Sequence, residues 1–285
     1  MFKKLKKVFK NKKKSLIKVR INEFELVAPA DHKIEVYLKE FRYYSRNLPR
    51  IAKYIESRYE KYNILDVGAN IGDSIALFRS MNVKQHIYAV EGEMSFFGLL
   101  QKNIKEFSDV TVFNYFLGDE TKQERLVLDV SKGTGKLTAT ENETIEVKAL
   151  DEFVKENNLK DIKLLKIDTD GFDLKILRGG FATIRLYKPI LFFEYDAVYL
   201  TEQGDNGILI FEDLAKLGYS KILYYDNFGK FLISITTADT AMIKQLYAYI
   251  AKHEGAFPYF DVCLFHESDD ELAEMIIQKE LEFFS

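Results

Sequence analysis

The sequence of 285 residues has no tryptophan, four prolines and a single cysteine. One cysteine leaves no partner for an internal disulfide, so nothing in the sequence requires an oxidising compartment. That residue, Cys263, lies in an apolar run, where we expect a buried and inert thiol. Hydrophobic residues make up 47% of the chain, which is enough for a folded core and argues against disorder of the whole chain.

Long apolar runs are also absent. No stretch reaches the roughly 20 apolar residues that a helix needs to cross a bilayer. The first residues lack the apolar core and cleavage site of a secretory signal. We therefore expect a cytoplasmic protein, with peripheral membrane contact through its basic N-terminus as described next.

Charge is distributed unevenly along the chain. Residues 1–20 contain nine lysines, one arginine and no acid, whereas the whole chain has a net charge of −3. The remaining residues are therefore acidic, which argues against a nucleic-acid-binding face there, because phosphate contacts need clustered Lys and Arg. Apolar residues interleave with the lysines of this tail. We expect it to contact an anionic membrane surface or a glycosyltransferase assembly, and a solvated end that aids solubility is the alternative.

From residue 63 onward, short runs rich in Val, Ile and Leu alternate with segments of helical spacing. The runs are Asn63–Ala69, Ile87–Glu91, Val110–Leu117, Leu164–Asp168 and Ile190–Tyr195. Such alternation is typical of βα units in a parallel sheet. We predict an α/β protein with a doubly wound, mainly parallel, seven-stranded sheet. The predicted domains are a basic amphipathic tail (1–20), an N-terminal helical cap (21–61) and the main domain (62–285).

Two pairs of alternating segments predict β-hairpins. Arg125–Val130 and Thr144–Leu150 flank a polar stretch with glycines, and we expect them to pair as an inserted hairpin with a mobile loop. Lys221–Tyr225 and Lys230–Ile235 flank Asp226–Asn227–Phe228–Gly229, which is a strong turn signal.

A glycine-bearing turn joins the first predicted strand to a helix. Gly68 can take strained dihedrals beside a ligand, and Gly72, Asp73 and Ser74 lie at the helix start. The spacing is Gly-x-x-x-Gly and not the Gly-x-Gly-x-x-Gly of NAD sites, so the pattern argues against a dinucleotide.

Carboxylates follow the next two strands. Glu91 lies about twenty residues beyond the glycines, where it can accept hydrogen bonds from both hydroxyls of a ribose. Asp119 ends the third run, and its carboxylate can accept a hydrogen bond from an adenine amino group. Either acid alone could be a helix cap, but their common position around one glycine loop favours a nucleoside site.

Four segments, LDVGANIGDS, AVEGE, LLKIDTDGFDLKILRGG and KPILFFEYD, together resemble the FkbM family of class I methyltransferases. The resemblance covers residues 62–200 and implies a Rossmann-like fold and S-adenosylmethionine as the cofactor. It implies O-methylation of a sugar or glycan-related acceptor, in surface polysaccharide or secondary metabolite biosynthesis. The sequence departs from the family pattern where Asp170 and Asp173 replace glutamates and where Gly92 replaces a proline.

The resemblance assigns the cofactor loop and the ribose contact to Asp66, Gly68, Asn70, Gly72 and Glu91. With their neighbours, the residues expected to contact the cofactor are Asp66, Gly68, Ala69, Asn70, Gly72, Asp73, Ser74, Glu91, Gly92 and Asp119.

Further acids follow the fourth and fifth strands. Strand ends of a doubly wound sheet face the ligand crevice, so Asp168, Asp170 and Glu194 are expected near the reacting methyl group. Asp168 is the first candidate for a general base or for orienting the acceptor hydroxyl, and the other two are further catalytic candidates. If a divalent cation is present, the same three side chains are its expected ligands. Helix capping is the alternative for Asp170, and His32 is a minor candidate base.

Two other functions stay open at this point. A nucleotide-sugar oxidoreductase on a similar sheet would bind nicotinamide, against which the glycine spacing argues. A non-catalytic interaction module would keep the methyltransferase-like fold and show no thermal stabilisation by the cofactor.

Overall fold

A computed structural model describes residues 15–285 except 125, 132–133, 140–143, 253 and 255, and only the backbone of 126–131 and 134–139. The strands are β1 Leu16–Ile21, β2 Phe24–Pro29, β3 Asn63–Val67, β4 His86–Val90, β5 Val110–Phe113, β6 Phe116–Gly118, β7 Lys122–Glu124, β8 Leu126–Ser131, β9 Thr134–Ala139, β10 Ile145–Ala149, β11 Ile162–Ile167, β12 Ile190–Tyr195, β13 Tyr219–Asp226, β14 Phe231–Thr236 and β15 Phe260–His266. The helices are α1 Ile34–Glu40, α2 Asn47–Ile55, α3 Asp73–Ser80, α4 Met94–Asn103, α5 Leu150–Glu156, α6 Asp173–Arg178, α7 Phe181–Tyr187, α8 Ala197–Glu202, α9 Leu209–Lys216, α10 Thr240–Ile250 and α11 Asp270–Phe284.

An eight-stranded sheet with the order β14-β13-β15-β12-β11-β3-β4-β5 forms the centre of the molecule. The five strands from β12 to β5 are parallel, and β15, β13 and β14 are antiparallel. The chain runs outward from β3 to β5 and then returns to β11 on the other side of β3. This reversal is the doubly wound order, and it places a ligand crevice at the carboxyl ends of β3 and β11. The sheet has one strand more than the predicted seven, because β14 pairs along the outer edge of β13.

Hydrophobic side chains cover both faces of this sheet. Every residue of β11 is buried, as a parallel strand between two helical layers requires. One face packs against side chains of α5, α6, α9 and α10, and the other against α2, α3, α4 and α11. Cys263 is fully buried on the second of these faces, and burial raises the pKa of its thiol. No helix of the described residues is long and apolar enough to cross a membrane.

The segment before β3 is only partly helical, in contrast to the predicted helical cap. Strands β1 and β2 form an antiparallel hairpin whose buried residues pack on α3 and α4. Leu16–Ile21 lies largely in the range predicted as tail, because its alternating apolar residues, Val19 and Ile21 among them, are buried in this small core. Residues 1–14, which carry most of the predicted tail, lie outside the described residues.

A buried ion pair fastens this N-terminal segment to the end of the chain. The guanidinium of Arg50 on α2 donates to both carboxylate oxygens of Glu280 on α11, at 2.9 and 2.7 Å. Both side chains are almost fully buried. The same guanidinium lies over the ring of Phe283, 4.4 Å from the ring centroid.

The predicted inserted hairpin is wrong in its pairing. Strand β8 pairs with β9, which occupies the stretch predicted as a loop. Strand β10 pairs instead with β6 and β7. The physical reason is burial, because Val147 in the middle of β10 is 1% exposed and belongs to the main core, which ties this strand to the body of the domain.

Candidate functional site

The glycine loop after β3 crosses the carboxyl end of β11 at very close range. Gly68 has a φ of 77°, and a Cβ at this position would lie 1.9 Å from the carbonyl oxygen of Asp168. The amides of Gly68 and Ala69 both donate to the carbonyl of Val90, at 2.9 and 3.0 Å. Only glycine tolerates this dihedral and this contact, so the loop depends on its first glycine.

Glu91 occupies the end of β4, where the sequence predicts a ribose ligand. Its two oxygens accept hydrogen bonds from the amides of Asn70 and Glu93, at 2.8 and 2.7 Å. Burial raises the pKa of Glu91 to about 7, although these two hydrogen bonds oppose the shift. Each carboxylate oxygen keeps a further lone pair that can accept a hydrogen bond from a hydroxyl.

A small cavity of about 70 Å³ adjoins Glu91. Aromatic and aliphatic side chains form much of its wall: Val90, Phe96, Tyr115, Phe116, Leu117, Phe172 and Ile176. Gly92 makes room for one of them, because a Cβ there would lie 2.3 Å from the ring of Phe116. The departure from the family pattern at this glycine therefore has a steric reason. Apolar walls beside a buried carboxylate suit a flat ring that carries a hydroxylated sugar.

A larger cavity of about 360 Å³ shares Gly68, Asn70, Asp168 and Asp170 with the small one. Its carboxyl groups belong to Asp73, Asp168, Asp170, Glu194, Asp196 and Asp261, and its aromatic rings to His32, Tyr37, Tyr44, Phe192, Tyr199 and Tyr259. Helices α1 and α2 and the loop between them form one side. The two cavities together can hold a nucleoside-bearing ligand and a second molecule.

Burial raises the pKa values of several of these acids, and repulsion by neighbouring carboxylates adds to the effect. Burial raises the pKa of Glu194 well above its ordinary value, and the charges of Asp168 and Asp170 raise it further. Burial also raises the pKa of Asp261 to about 7, against the effect of a 2.8 Å hydrogen bond from Asn47. Asp168 differs, because 53% of its side chain is exposed. It is therefore the acid of this group that is open to a bound acceptor.

Lys166, which the sequence does not single out, lies beneath the cofactor loop and lines the larger cavity. Its ammonium is 2.8 Å from the carbonyl oxygen of Gly68, 3.0 Å from a carboxylate oxygen of Asp66 and 3.6 Å from one of Asp168. Burial favours the neutral amine, but the two carboxylates outweigh burial and raise the pKa of Lys166. The available signal was a lysine inside the apolar run Leu164–Ile167, where a buried strand has no ordinary place for a charge.

Asp66 and Ser74 support the cofactor loop. Asp66 is fully buried, pairs with Lys166 and accepts a hydrogen bond from the hydroxyl of Ser74. It lines neither cavity, and its predicted contact with the cofactor stays a prediction. Ala69 and Gly72 also line neither cavity, whereas Ser74 and Asp73 line the larger one.

Asp119, which is predicted to contact the base, lies outside the lining of both cavities. Its carboxylate pairs with Lys122 at 3.1 Å. The run predicted as one strand is broken after Phe113, and Tyr115 and Phe116 take the position next to the small cavity.

Asp170 and Asp173 have different roles at the start of α6. Asp170 lines both cavities, and the N-cap residue of the helix is Phe172. Asp173 accepts hydrogen bonds from the amide of Gly171 and the hydroxyl of Thr169, both at 3.2 Å. Burial raises the pKa of Asp173 to about 7.

The predicted cation site is not supported. Asp168, Asp170 and Glu194 all line the larger cavity. Within the described part of the chain, however, no group of three His, Cys, Asp or Glu residues is arranged to hold a metal ion.

His32 connects the N-terminal segment to the cofactor loop. Its Nδ1 accepts a hydrogen bond from the amide of Ile34 at 3.2 Å, so the ring proton is on Nε2. Nε2 lies 3.3 Å from the side-chain oxygen of Asn70 and donates to it. Both ring nitrogens are therefore engaged, which argues against His32 as the base.

Comparison of the chain with models of known protein families identifies its family. A model of the methyltransferase FkbM domain matches residues 66–221, more than half of the chain. No curated protein matches the chain. The solved structures that match include the methyltransferase FkbM from Methylobacillus flagellatus KT, at 20% identity and a TM-score of 0.41, over 57% of this chain and 40% of that one. This chain thus spans less than half the length of that protein.

Two other solved structures match over more of their length. Precorrin-6y C5,15-methyltransferase from Geobacter metallireducens GS-15 is 14% identical, with a TM-score of 0.37, over 73% of this chain and 81% of that one. The plantazolicin methyltransferase BamL, solved with a triazolic desmethylPZN analog and SAH, is 10% identical, with a TM-score of 0.44, over 81% of this chain and 88% of that one.

The family match agrees with the doubly wound sheet and with a glycine loop that precedes a buried carboxylate. It confirms the predicted fold class and S-adenosylmethionine as the cofactor. The chain belongs to the FkbM methyltransferase family.

Proposed function

We propose that the protein is an S-adenosylmethionine-dependent O-methyltransferase that acts on a hydroxyl of a sugar or glycan-related acceptor. The observation that carries this proposal is the junction of the two cavities. Gly68, Asn70, Asp168 and Asp170 line both, so a ligand in the small cavity meets a second molecule in the larger one at these residues.

The residues around the small cavity fit the adenosyl part of the cofactor. Glu91 would accept hydrogen bonds from the ribose hydroxyls, and Tyr115, Phe116 and Ile176 would flank the adenine ring. The loop at Gly68 leaves room for the rest of the molecule toward the larger cavity. When bound there, S-adenosylmethionine supplies a methyl group that its sulfonium makes electrophilic.

In this proposal, Asp168 acts on the acceptor hydroxyl. It follows the carboxyl end of β11, lines both cavities and has an exposed carboxylate. Such a group can orient a hydroxyl for in-line attack and accept its proton as the new bond forms. Lys166 lies 3.6 Å from this carboxylate, and Asp170 and Glu194 remain candidates for holding the acceptor.

The lining of the larger cavity supports a polyhydroxylated acceptor. Its carboxyl groups and tyrosine hydroxyls can accept hydrogen bonds from sugar hydroxyls, and its aromatic rings offer faces for the apolar side of a sugar ring. The proposed setting is surface polysaccharide or secondary metabolite biosynthesis. The proposed partners are the acceptor and, through the basic residues 1–20, an anionic membrane surface or a glycosyltransferase assembly. The acidic cavity gives no reason to include nucleic acid.

Calorimetry with S-adenosylhomocysteine, followed by a mass-shift screen with S-adenosylmethionine and a panel of sugars and nucleotide sugars, tests the proposal. We expect binding of the demethylated cofactor and a gain of one methyl group on an acceptor oxygen. Absence of binding heat from folded protein would refute the proposal and favour the interaction module. Binding of a nicotinamide cofactor instead would favour the oxidoreductase.

A further inference from the structure

The cofactor loop, residues 68–72, is supported by strands that line neither cavity. These strands, β1 and β2, form the N-terminal hairpin, which lies outside the residues that the family model matches. Ile71 of the loop is fully buried in the small core that contains Val19 and Leu26 of the hairpin. Phe96, which lines the small cavity, belongs to the same core. The hairpin therefore packs behind both the loop and one wall of the cofactor cavity.

A buried amide side chain ties this hairpin to the loop through three hydrogen bonds. Asn103, the last residue of α4, donates to the carbonyls of Val27 on β2 and of Ile71 in the loop, both at 2.9 Å. Its oxygen accepts a hydrogen bond from the amide of Val27 at 2.8 Å. Asn103 is 8% exposed, and a buried polar group that loses its partner is costly. The position of the loop at residue 71 is therefore coupled to the position of β2.

His32, which follows the hairpin, makes a second connection one residue earlier in the loop. Its Nε2 donates to the side-chain oxygen of Asn70 at 3.3 Å, and its ring meets the ring of Phe96 edge-on, with centroids 6.5 Å apart. The backbone amide of Asn70 donates in turn to the carboxylate of Glu91 at 2.8 Å. The contact thus acts on a loop residue that holds the predicted ribose ligand and lines both cavities.

We infer that His32 and Asn103 are positioning residues for S-adenosylmethionine, through which the N-terminal hairpin fixes Asn70, Ile71 and the orientation of Glu91. The inference rests on the cofactor half of the proposed function and does not depend on the acceptor. Asn103 lines neither cavity, so an effect of this residue on cofactor affinity would act through the loop. Loss of the supporting contacts weakens binding, because the cofactor must then order the loop as it binds.

Two variants at residue 32 separate positioning from folding. His32→Leu and His32→Gln both remove the ring nitrogen that accepts from the amide of Ile34, but only glutamine keeps an N–H donor that can reach Asn70. Calorimetry on the full chain at pH 8, where Glu91 is ionised, measures the affinity for S-adenosylhomocysteine. His32→Leu should bind it fivefold or more weakly than the parent, and His32→Gln within twofold of the parent. A merely structural role would weaken both variants alike.

A second pair of variants compares two asparagines that attach the hairpin to the rest of the chain. Asn103→Ala removes the hydrogen bond to the loop and should weaken S-adenosylhomocysteine binding tenfold or more. Asn22→Gly is the matched control, because it removes the hydrogen bonds that join the hairpin turn to Ser80 and Arg46, away from the loop. Glycine also tolerates the positive φ of 51° at this position. The control should bind within twofold of the parent.

Hydrogen exchange of the ligand-free protein gives a readout that needs no cofactor. Peptides that cover residues 68–75 should exchange faster in His32→Leu and Asn103→Ala than in the parent, His32→Gln and Asn22→Gly, because the loop opens more often. Equal affinities and equal exchange rates of the two variants at residue 32 would overturn the inference, even where Asn103→Ala does not fold. Parent-like values in a folded Asn103→Ala would overturn the role of Asn103. Absence of binding heat from the parent would refute the proposed function, and the exchange rates would still decide whether His32 and Asn103 hold the loop.

Discussion

The ammonium of Lys166 lies 2.8 Å from the carbonyl oxygen of Gly68. This contact joins the carboxyl ends of β11 and β3 beneath the loop that borders both cavities. The same ammonium is 3.0 Å from Asp66, so one buried cation neutralises a buried acid and holds the loop backbone.

Replacing Lys166 by Met should strongly destabilise the protein. The change leaves Asp66 buried without a cation, and breaking a buried pair from one side costs about 3–5 kcal/mol. Urea unfolding measures the loss. The double variant Lys166→Met/Asp66→Asn removes both charges and should recover most of it, and a single variant as stable as the parent would show that the pair has no such role.

Gly68→Ala should destabilise the protein by more than about 1 kcal/mol and abolish S-adenosylhomocysteine binding, because φ is positive and the added Cβ meets the carbonyl of Asp168. The matched control is Gly98→Ala in α4, where an added Cβ has no heavy atom within 4 Å. The control should stabilise the protein by about 0.5–1 kcal/mol, since alanine favours a helix interior. Thermal unfolding and calorimetry distinguish the two outcomes, and similar behaviour of both variants would contradict the steric argument.

The affinity for S-adenosylhomocysteine should rise with pH. Glu91 has a pKa of about 7 in the folded protein, above its ordinary value of 4.5, so it is largely protonated at pH 6 and ionised at pH 8. Ribose hydroxyls donate to the ionised form, and the affinity should therefore increase about tenfold between these pH values and then level off. Glu91→Gln should bind more weakly and lose the pH dependence, which calorimetry at several pH values measures. A pH profile that is the same in both proteins would assign the titration to another group.

Two further substitutions should separate binding from turnover. Glu91→Ala removes the carboxylate of the small cavity and should weaken cofactor binding by about tenfold or more, since a buried hydrogen bond to a charged group contributes about 1.5–3 kcal/mol. Asp168→Asn should leave that binding nearly unchanged and lower kcat, because Asp168 acts on the acceptor. The reverse pattern in calorimetry and methyl-transfer assays would exchange the proposed roles.

Removing residues 1–14 should release the protein from anionic vesicles without changing its affinity for S-adenosylhomocysteine. The cut precedes Leu16–Ile21, which pairs with β2 and must be kept for folding. Basic side chains near an anionic surface contribute on the order of 1 kcal/mol each. Co-sedimentation with vesicles of anionic and of neutral lipid measures the effect, and equal partitioning of the long and short proteins would reject the membrane proposal.

Local sequence predicts features that depend on a single strand or turn. Buried parallel strands are apolar on both faces, so runs such as Leu164–Ile167 were recognisable as the sheet. Glu91 was recognisable as a residue of the crevice because acids at the carboxyl ends of such strands face it. The positive φ of Gly68 follows from its place in the turn between β3 and α3.

Features that depend on distant neighbours were not predictable in this way. Asp261 lies in an antiparallel strand far along the chain, and nothing near it in sequence shows that Glu194 is its neighbour. The pairing of β10 was missed because its decisive contact, the burial of Val147, is tertiary. That Asp66 and Asp119 line neither cavity was not predictable either, because the sequence shows an acid near a strand end but not which way the chain turns there.

The buried ion pair between Arg50 and Glu280 has a consequence for how the protein folds during its synthesis. Helix α2 carries Asn47 and Leu48, which form part of the wall of the larger cavity. The guanidinium of Arg50 on the same helix pairs with the carboxylate of Glu280, which is translated 230 positions later. Until that residue has left the ribosome, docking of α2 would bury an uncompensated charge. We therefore expect α2, and with it this wall of the larger cavity, to dock only after Glu280 has been synthesised.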